Sequence, residues 1–112
     1  MIFDPEALQN YRLVFLKLRA VSSSKRFYLL NIVRTNEPVS VNDIVAETKI
    51  EQPIVSQLLS VLRKADFVKS VSNGKEKLYS ISQEEIDSLL KFCLAFNKQD
   101  VSQPKEIAIG YK

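Results

Sequence analysis

The sequence predicts a mainly α-helical domain of about five helices, with one small β-hairpin between the fourth and the fifth. Three observations carry that reading. Apolar residues recur at helical spacing along most of the 112-residue chain. Ser40 with Asp43, and Ser82 with Glu85, resemble capping boxes that open helices. Between these two signals the period becomes strand-like around Asn73-Gly74, a dipeptide that strongly favours a tight hairpin turn.

The first helix is expected over residues 4–20. Asp4 followed by Pro5 is a start signal, and Leu8, Tyr11, Phe15 and Leu18 repeat at helical spacing. Val14 and Leu16 widen that stripe beyond what a small domain needs from a terminal helix. A second helix follows the Ser22-Ser23-Ser24 break, over about 24–35, offering Phe27, Leu30, Ile32 and Val33 to the core; Asn36-Glu37-Pro38 ends it. The third, at 41–48, is short, with Val41, Ile44 and Val45 on its inner face. Lys49-Ile50-Glu51 then makes a tight connection into the fourth helix.

That fourth helix is the most informative segment. Pro53 suits a first helical turn, where its missing N–H costs nothing. Val55, Leu59 and Leu62 face inward. The other side carries Gln52, Ser56, Gln57 and Ser60, followed by Arg63 and Lys64. Gln can pair with an adenine edge, Ser permits close approach, and Arg or Lys can hold phosphates. Two short helices joined by about three residues make residues 41–65 a helix-turn-helix candidate. The plainer reading of the same face is an amphipathic surface helix with polar residues outward.

The hairpin is expected over 67–81, with Val68, Val71, Leu78, Tyr79 and Ile81 flanking the turn and Lys69, Lys75 and Lys77 on its arms and loop. Beside a helix-turn-helix it reads as a basic wing; alternatively its lysines only keep an edge hairpin soluble. The last helix, 83–98, carries Ile86, Leu89, Leu90, Cys93 and Phe96 in one stripe, with Phe92 and Leu94 beyond it. A terminal helix that is apolar on more than one face needs a partner. The first and last helices are therefore expected to form a homodimer interface through Tyr11, Phe15, Leu18, Ile86, Leu89, Leu90, Cys93 and Phe96. The alternative is that the two helices cap each other within one protomer. Residues 1–98 thus form a single domain, and the tail 99–112 is polar, then weakly apolar at Ile107, Ala108, Ile109 and Tyr111.

Composition limits the function classes. Apolar residues make up 46% and charged residues 26%, as expected for one soluble domain with a modest core. A net charge of +3 permits nucleic-acid binding without demanding it. The lone Cys93 excludes an intrachain disulfide and points to a reducing compartment. The N-terminal MIFDPEALQ lacks the basic region and apolar run of a signal peptide, and no apolar stretch is long enough to span a bilayer. A cytoplasmic protein without a membrane partner is expected. With no histidine, no Gly-rich phosphate loop and no nucleophile–base set, the chain has nothing from which to build an enzyme site.

The order of elements and the residues within them resemble the ArsR-type (ArsR/SmtB-like) winged helix-turn-helix repressors over about residues 18–82. The segment LRAVSSSKRFYLLNIV is similar to the family's stretch built on "L-ALADPTRLRILRLL", with Arg26 at its arginine and Ser23-Ser24-Lys25 replacing Asp-Pro-Thr. VSQLLSVLRKADFV looks like "VSRHLKVLREAGLV", with Ser56, Leu59, Val61, Leu62, Arg63 and Ala65 in register and Leu58 where histidine is common. Gly74 at the hairpin tip and Tyr79 on the returning strand agree as well. The resemblance implies a homodimer that presents two recognition helices to an inverted-repeat operator and releases DNA on a signal. The family's "CVC" metal motif falls on Ser40, Val41 and Asn42, and its second metal site uses histidines, which this chain lacks. No metal sensing and no cofactor are expected. Cys93 is either part of the apolar core or, as a second option, a symmetric bridge across the dimer.

The leading functional expectation is a DNA-binding repressor whose partner is double-stranded DNA. Gln52, Ser56, Gln57 and Ser60 would approach bases, while Lys49, Arg63, Lys64, Lys69, Lys75 and Lys77 would hold phosphates. Arg26 would either join them or pair with a carboxylate inside the domain. The alternative is a winged-helix protein–protein interaction module without sequence-specific DNA binding, for which Asp43, Glu47, Glu51 and Asp66 speak. An effector, small molecule or protein, is left open.

Overall fold

The computed structural model describes residues 4–96. The expected tail 99–112 and the last two residues of the predicted final helix lie outside the described residues. Helix α1 spans Pro5–Arg19. Asp4 caps it by accepting from the Glu6 amide at 3.0 Å, and Pro5 occupies its first turn. None of its residues is buried. Helix α2, Ser24–Asn36, is capped by Ser23, whose hydroxyl accepts from the Arg26 amide at 3.4 Å.

α2 buries Leu29, Leu30, Ile32 and Val33, while Phe27 is only half-buried. Leu29 was not among the expected core residues. α2 packs against both the fourth helix and the sheet, so two adjacent positions are covered where a single-stripe reading expects one.

The expected two-stranded hairpin is part of a three-stranded antiparallel sheet. A short strand β1, Val39–Ser40, follows Pro38 and leads directly into helix α3, Val41–Thr48. Strands β2, Val68–Asn73, and β3, Glu76–Ile81, form the hairpin, and the strand order is β1-β3-β2. Val39 pairs with Tyr79 and Ser40 with Leu78. The Glu37 carboxylate extends this edge by accepting from the Ile81 amide at 3.0 Å. The turn between β2 and β3 consists of Gly74 and Lys75, since Asn73 pairs with Glu76. Only the first of the two turn residues, Gly74, has positive φ, at 65°, which suits a glycine-first two-residue hairpin loop.

The capping box of α3 forms as expected: the Asp43 amide donates to Ser40 Oγ at 3.1 Å, and the Ser40 amide to Asp43 Oδ2 at 3.5 Å. Lys49 then adopts a left-handed conformation, φ 62°, and its amide closes on the Val45 carbonyl at 2.8 Å. That tight stop brings the chain around into α4, Gln52–Lys64. At the far end of α4, Asp66 is left-handed, φ 64°; its amide bonds to the Arg63 carbonyl and that of Phe67 to Leu62. This 6→1 and 5→2 pair is a Schellman ending, with aspartate tolerated where glycine is usual.

Helix α5 spans Glu84–Phe96 within the described residues. The expected Ser82 cap does not form. The Ser82 hydroxyl donates instead to the Asp66 carbonyl and its amide to the Phe67 carbonyl, so Ser82 fastens the end of the sheet to the α4 terminus and the helix starts at Glu84. The core gathers Leu29, Leu30, Val33, Ile44, Val55, Leu59, Leu62 and Leu90, all with essentially no exposed surface. Each such side chain contributes about 1.5–3 kcal/mol. Among the described residues, no helix is long and apolar enough to cross a membrane.

Candidate nucleic-acid interface

The faces of α4 follow from its core stripe. Val55, Leu59 and Leu62 are fully buried against α2, α3 and β2, which fixes the rotation of the helix. At roughly 100° per residue, Gln52, Ser56, Ser60 and Arg63 then share one flank, and Gln57 and Lys64 point more directly away from the core. Gln52 and Gln57 are exposed, whereas Ser56 and Ser60 are half-buried.

That flank faces the hairpin. Strand alternation places Lys77 and Tyr79, with their partners Ser72 and Ser70, on one side of the β-ribbon. Lys69 and Val71 fall on the other side. The result is a groove in which Gln52, Ser56, Ser60 and Arg63 of α4 stand opposite Lys75 and Lys77, with Tyr79 beneath. The structure thus brings together six of the ten residues expected to contact nucleic acid. Gln57, Lys49, Lys64 and Lys69 are exposed but do not line this groove.

Asn42, at the start of α3, also lines the groove and was not expected there as a contact residue. Its only sequence signal was its place two residues after the Ser40 cap, where a short helix directs its N-terminus toward the next helix. Glu76 brings one carboxylate to the same groove.

The groove cations are available. Among the described residues, the ion pairs are Arg34 with Asp87 at 3.1 Å and Lys91 with Asp87 at 3.0 Å, so Lys49, Arg63, Lys64, Lys69, Lys75 and Lys77 have no carboxylate within 4.0 Å. Glu51 precedes α4 as an exposed residue and is not paired with Lys49. The Gln52 side-chain amide donates to Ser56 Oγ at 2.9 Å.

Arg26 takes neither of the roles expected for it. Its Nε donates to the Ala20 carbonyl and its Nη2 to the Arg19 carbonyl at 3.5 Å. It therefore satisfies the Ala20 carbonyl, joins the Ser22 amide on the Arg19 carbonyl, and holds the C-terminus of α1 to α2.

The residues expected at a dimer interface divide into two groups. Ile86 and Leu90 are buried in the protomer's own core, with Leu90 0% exposed, so neither belongs to a free face. Their side of α5 packs toward β3. Leu89 and Cys93 are half-buried. Tyr11, Phe15 and Phe96 are 70%, 63% and 80% exposed, and Leu18 is 40% exposed. The Phe92 and Phe96 rings stack with centroids 6.0 Å apart. α1 buries none of its residues, and within the protomer its Val14 and Leu18 border an open apolar crevice with Ile86 and Leu89 of α5.

At the positions of the family's thiolate motif, the Ser40 hydroxyl is engaged in the capping box, Val41 packs on the core, and Asn42 faces the groove. Among the described residues, no group of three or more His, Cys, Asp or Glu side chains is arranged to hold a metal ion.

Residues 23–70 match the family model described as "Bacterial regulatory protein, arsR family". Over that segment the chain is similar to the ArsR-family helix-turn-helix. The matched segment runs from the α2 cap through α3 and α4 into β2. It is also similar to MJ1325 of Methanocaldococcus jannaschii, described as an uncharacterized HTH-type transcriptional regulator. The two are 29% identical over 73 residues, 65% of this chain and 82% of that protein. Two of the solved structures that share the fold illustrate it. One is NolR from Sinorhizobium fredii, with TM-score 0.75 and 22% identity, covering 87% of this chain and 96% of that one. The other is the homodimeric winged helix-turn-helix DNA-binding domain of Mb0332 from Mycobacterium bovis, described as a possible ArsR-family transcriptional regulator. There the TM-score is 0.78 and the identity 15%, over 96% of this chain and 98% of that one. The matched family model is that of bacterial regulatory proteins, and the fold is shared with the winged helix-turn-helix domain of Mb0332.

Proposed function

We propose that this protein is an ArsR-type homodimeric repressor that binds an inverted-repeat operator through α4 and the β2–β3 wing. The observation that carries the reading is the groove itself. It sets an uncharged hydrogen-bonding row, Gln52, Ser56 and Ser60, against Arg63, Lys75 and Lys77. α4 enters the major groove, Gln52 and Gln57 reach base edges, and the cations take phosphates on either side. Lys49, Lys64 and Lys69 add charge outside the groove. Exposed Tyr11, Phe15, Leu18 and Phe96, with half-buried Leu89 and Cys93, supply the apolar face for a second copy. The Mb0332 domain, of the same fold, is homodimeric, which supports that arrangement.

Regulation through the usual family metal sites is not proposed. The thiolate positions are Ser40, Val41 and Asn42, and the chain has one cysteine and no histidine. An interaction module remains as the second reading because Glu76 brings a carboxylate to the groove and exposed Glu51 stands just before α4.

Selection from a random duplex pool, followed by titration of the enriched site at several salt concentrations, tests the proposal. An enriched inverted repeat with half-sites about one helical turn apart, bound about 10³-fold or more tighter than bulk DNA, is expected. Weak binding without an enriched sequence would favour the interaction module.

A further inference from the structure

α1 has two apolar faces, and the proposed dimer uses only one. Leu8, Tyr11, Phe15 and Leu18 lie together on the first. Leu13 and Leu16 lie roughly 150° around the helix, at ~100° per residue. Both are exposed, at 56% and 57%. This second face turns toward the C-terminal half of α4, where Val61 and Ala65 continue the apolar floor of an open crevice.

The rim of that crevice is cationic. Lys17 and Arg19 from α1 and Lys64 from α4 line it, against one carboxylate, Asp66. Among the described residues, none of the three cations has an ion-pair partner. Two helix C-termini converge here and would ordinarily repel an anion, but Arg26 covers the α1 carbonyls at Arg19 and Ala20. An apolar floor with a positive rim matches a molecule that has an apolar body and one anionic head. A phosphate strand would use the rim and leave the floor wet.

We propose that the α1–α4 crevice binds an amphipathic carboxylate, with its chain along Leu13, Leu16 and Val61 and its head against Lys17, Arg19 and Lys64. This rests on the dimer reading in one respect, that the partner copy covers the first face of α1 and leaves the second open. Because Lys64 is also a candidate phosphate contact, occupancy withdraws one cation from DNA, so the crevice acts as an effector site.

Decanoate, below its micellar concentration, is titrated calorimetrically into the full-length chain, with decyltrimethylammonium as the cationic counterpart. The expected result is one decanoate per protomer, preferred at least tenfold over the cation. Leu16→Gln and Lys17→Glu each weaken binding tenfold or more. Equal binding of both amphiphiles, or decanoate binding unchanged in both variants, overturns the proposal. So does a failure to bind decanoate accompanied by weaker bulk-DNA binding in Lys17→Glu, which would assign the patch to DNA. Sedimentation run alongside separates the two readings. A monomer that still binds decanoate supports the crevice and removes the dimer, whereas a dimer that Leu16→Gln dissociates shows the face to be an interface and removes the crevice.

Discussion

The Gln52 side-chain amide donates to the Ser56 hydroxyl at 2.9 Å, one turn along α4, so the glutamine nearest the wing is held by its own helix in the free protein. Gln57, one position beyond Ser56, makes no side-chain hydrogen bond among the described residues and projects from the same helix. The two glutamines therefore differ in what they give up on reaching a base.

Gln57→Ala is expected to cost about 1–3 kcal/mol of operator affinity and to relax preference at one base position. Ser56→Ala frees Gln52 and is expected to change affinity by less than tenfold. Fluorescence anisotropy against the selected operator and its single-base variants checks both. An unchanged preference profile in Gln57→Ala would take Gln57 out of the readout.

The wing lysines are not equivalent. Lys75 and Lys77 face α4 across the groove, while strand alternation puts Lys69 on the far side of the ribbon. Lys75→Ala should weaken binding to all duplexes and reduce the salt slope by about 0.9, the value of one lost phosphate contact. Lys69→Ala should change the slope less. If the two variants lose equal slope, the hairpin does not approach DNA by its α4-facing side.

Ser40 serves three structures at once: it pairs in β1, caps α3 and holds the buried corner between them. Ser40→Ala removes the cap and is expected to cost about 0.5–2 kcal/mol, measured by urea unfolding. Ser40→Cys, which restores one thiolate of the family motif, should not create zinc affinity, because the other ligands are missing. A tight zinc titration in that variant would refute the argument from ligand count.

Asp87 links two helices, accepting from Lys91 on α5 at 3.0 Å and from Arg34 on α2 at 3.1 Å. The hydrogen bond from Lys91, and after it the one from Arg34, hold its carboxyl below the ordinary value of 3.8. A depressed folded pKa means that the contribution is fully present above the ordinary value and is lost as pH falls through the lowered one. Stability should therefore drop on acidification in that window, modestly, since the pair is screened by water. Asp87→Asn should flatten that part of the urea-unfolding profile; an identical acid limb in the variant would count against the linkage.

Much of this protein was legible in the sequence because its signals are local. The α3 capping box, the Asp4-Pro5 start of α1, the Val55-Leu59-Leu62 stripe and the turn at Gly74 each depend on residues within one or two turns of chain, and each formed. The setting of the Gln52-Ser56-Ser60-Arg63 flank followed from them, since burying one stripe of α4 fixes the rotation of the rest. The tertiary structure decided what depends on distant partners. β1 has two residues and no period of its own; it exists because β3, nearly forty residues later, offers an open edge. Ser82 had the local chemistry of a cap, but the Asp66 carbonyl took its hydroxyl. Arg26 went to the α1 carbonyls, and Ile86 and Leu90 went to the protomer core, because an apolar stripe does not record which neighbour will cover it. Local hydrogen bonding and helical period are written in adjacent residues, whereas burial and pairing are chosen among competing surfaces only when the chain closes on itself.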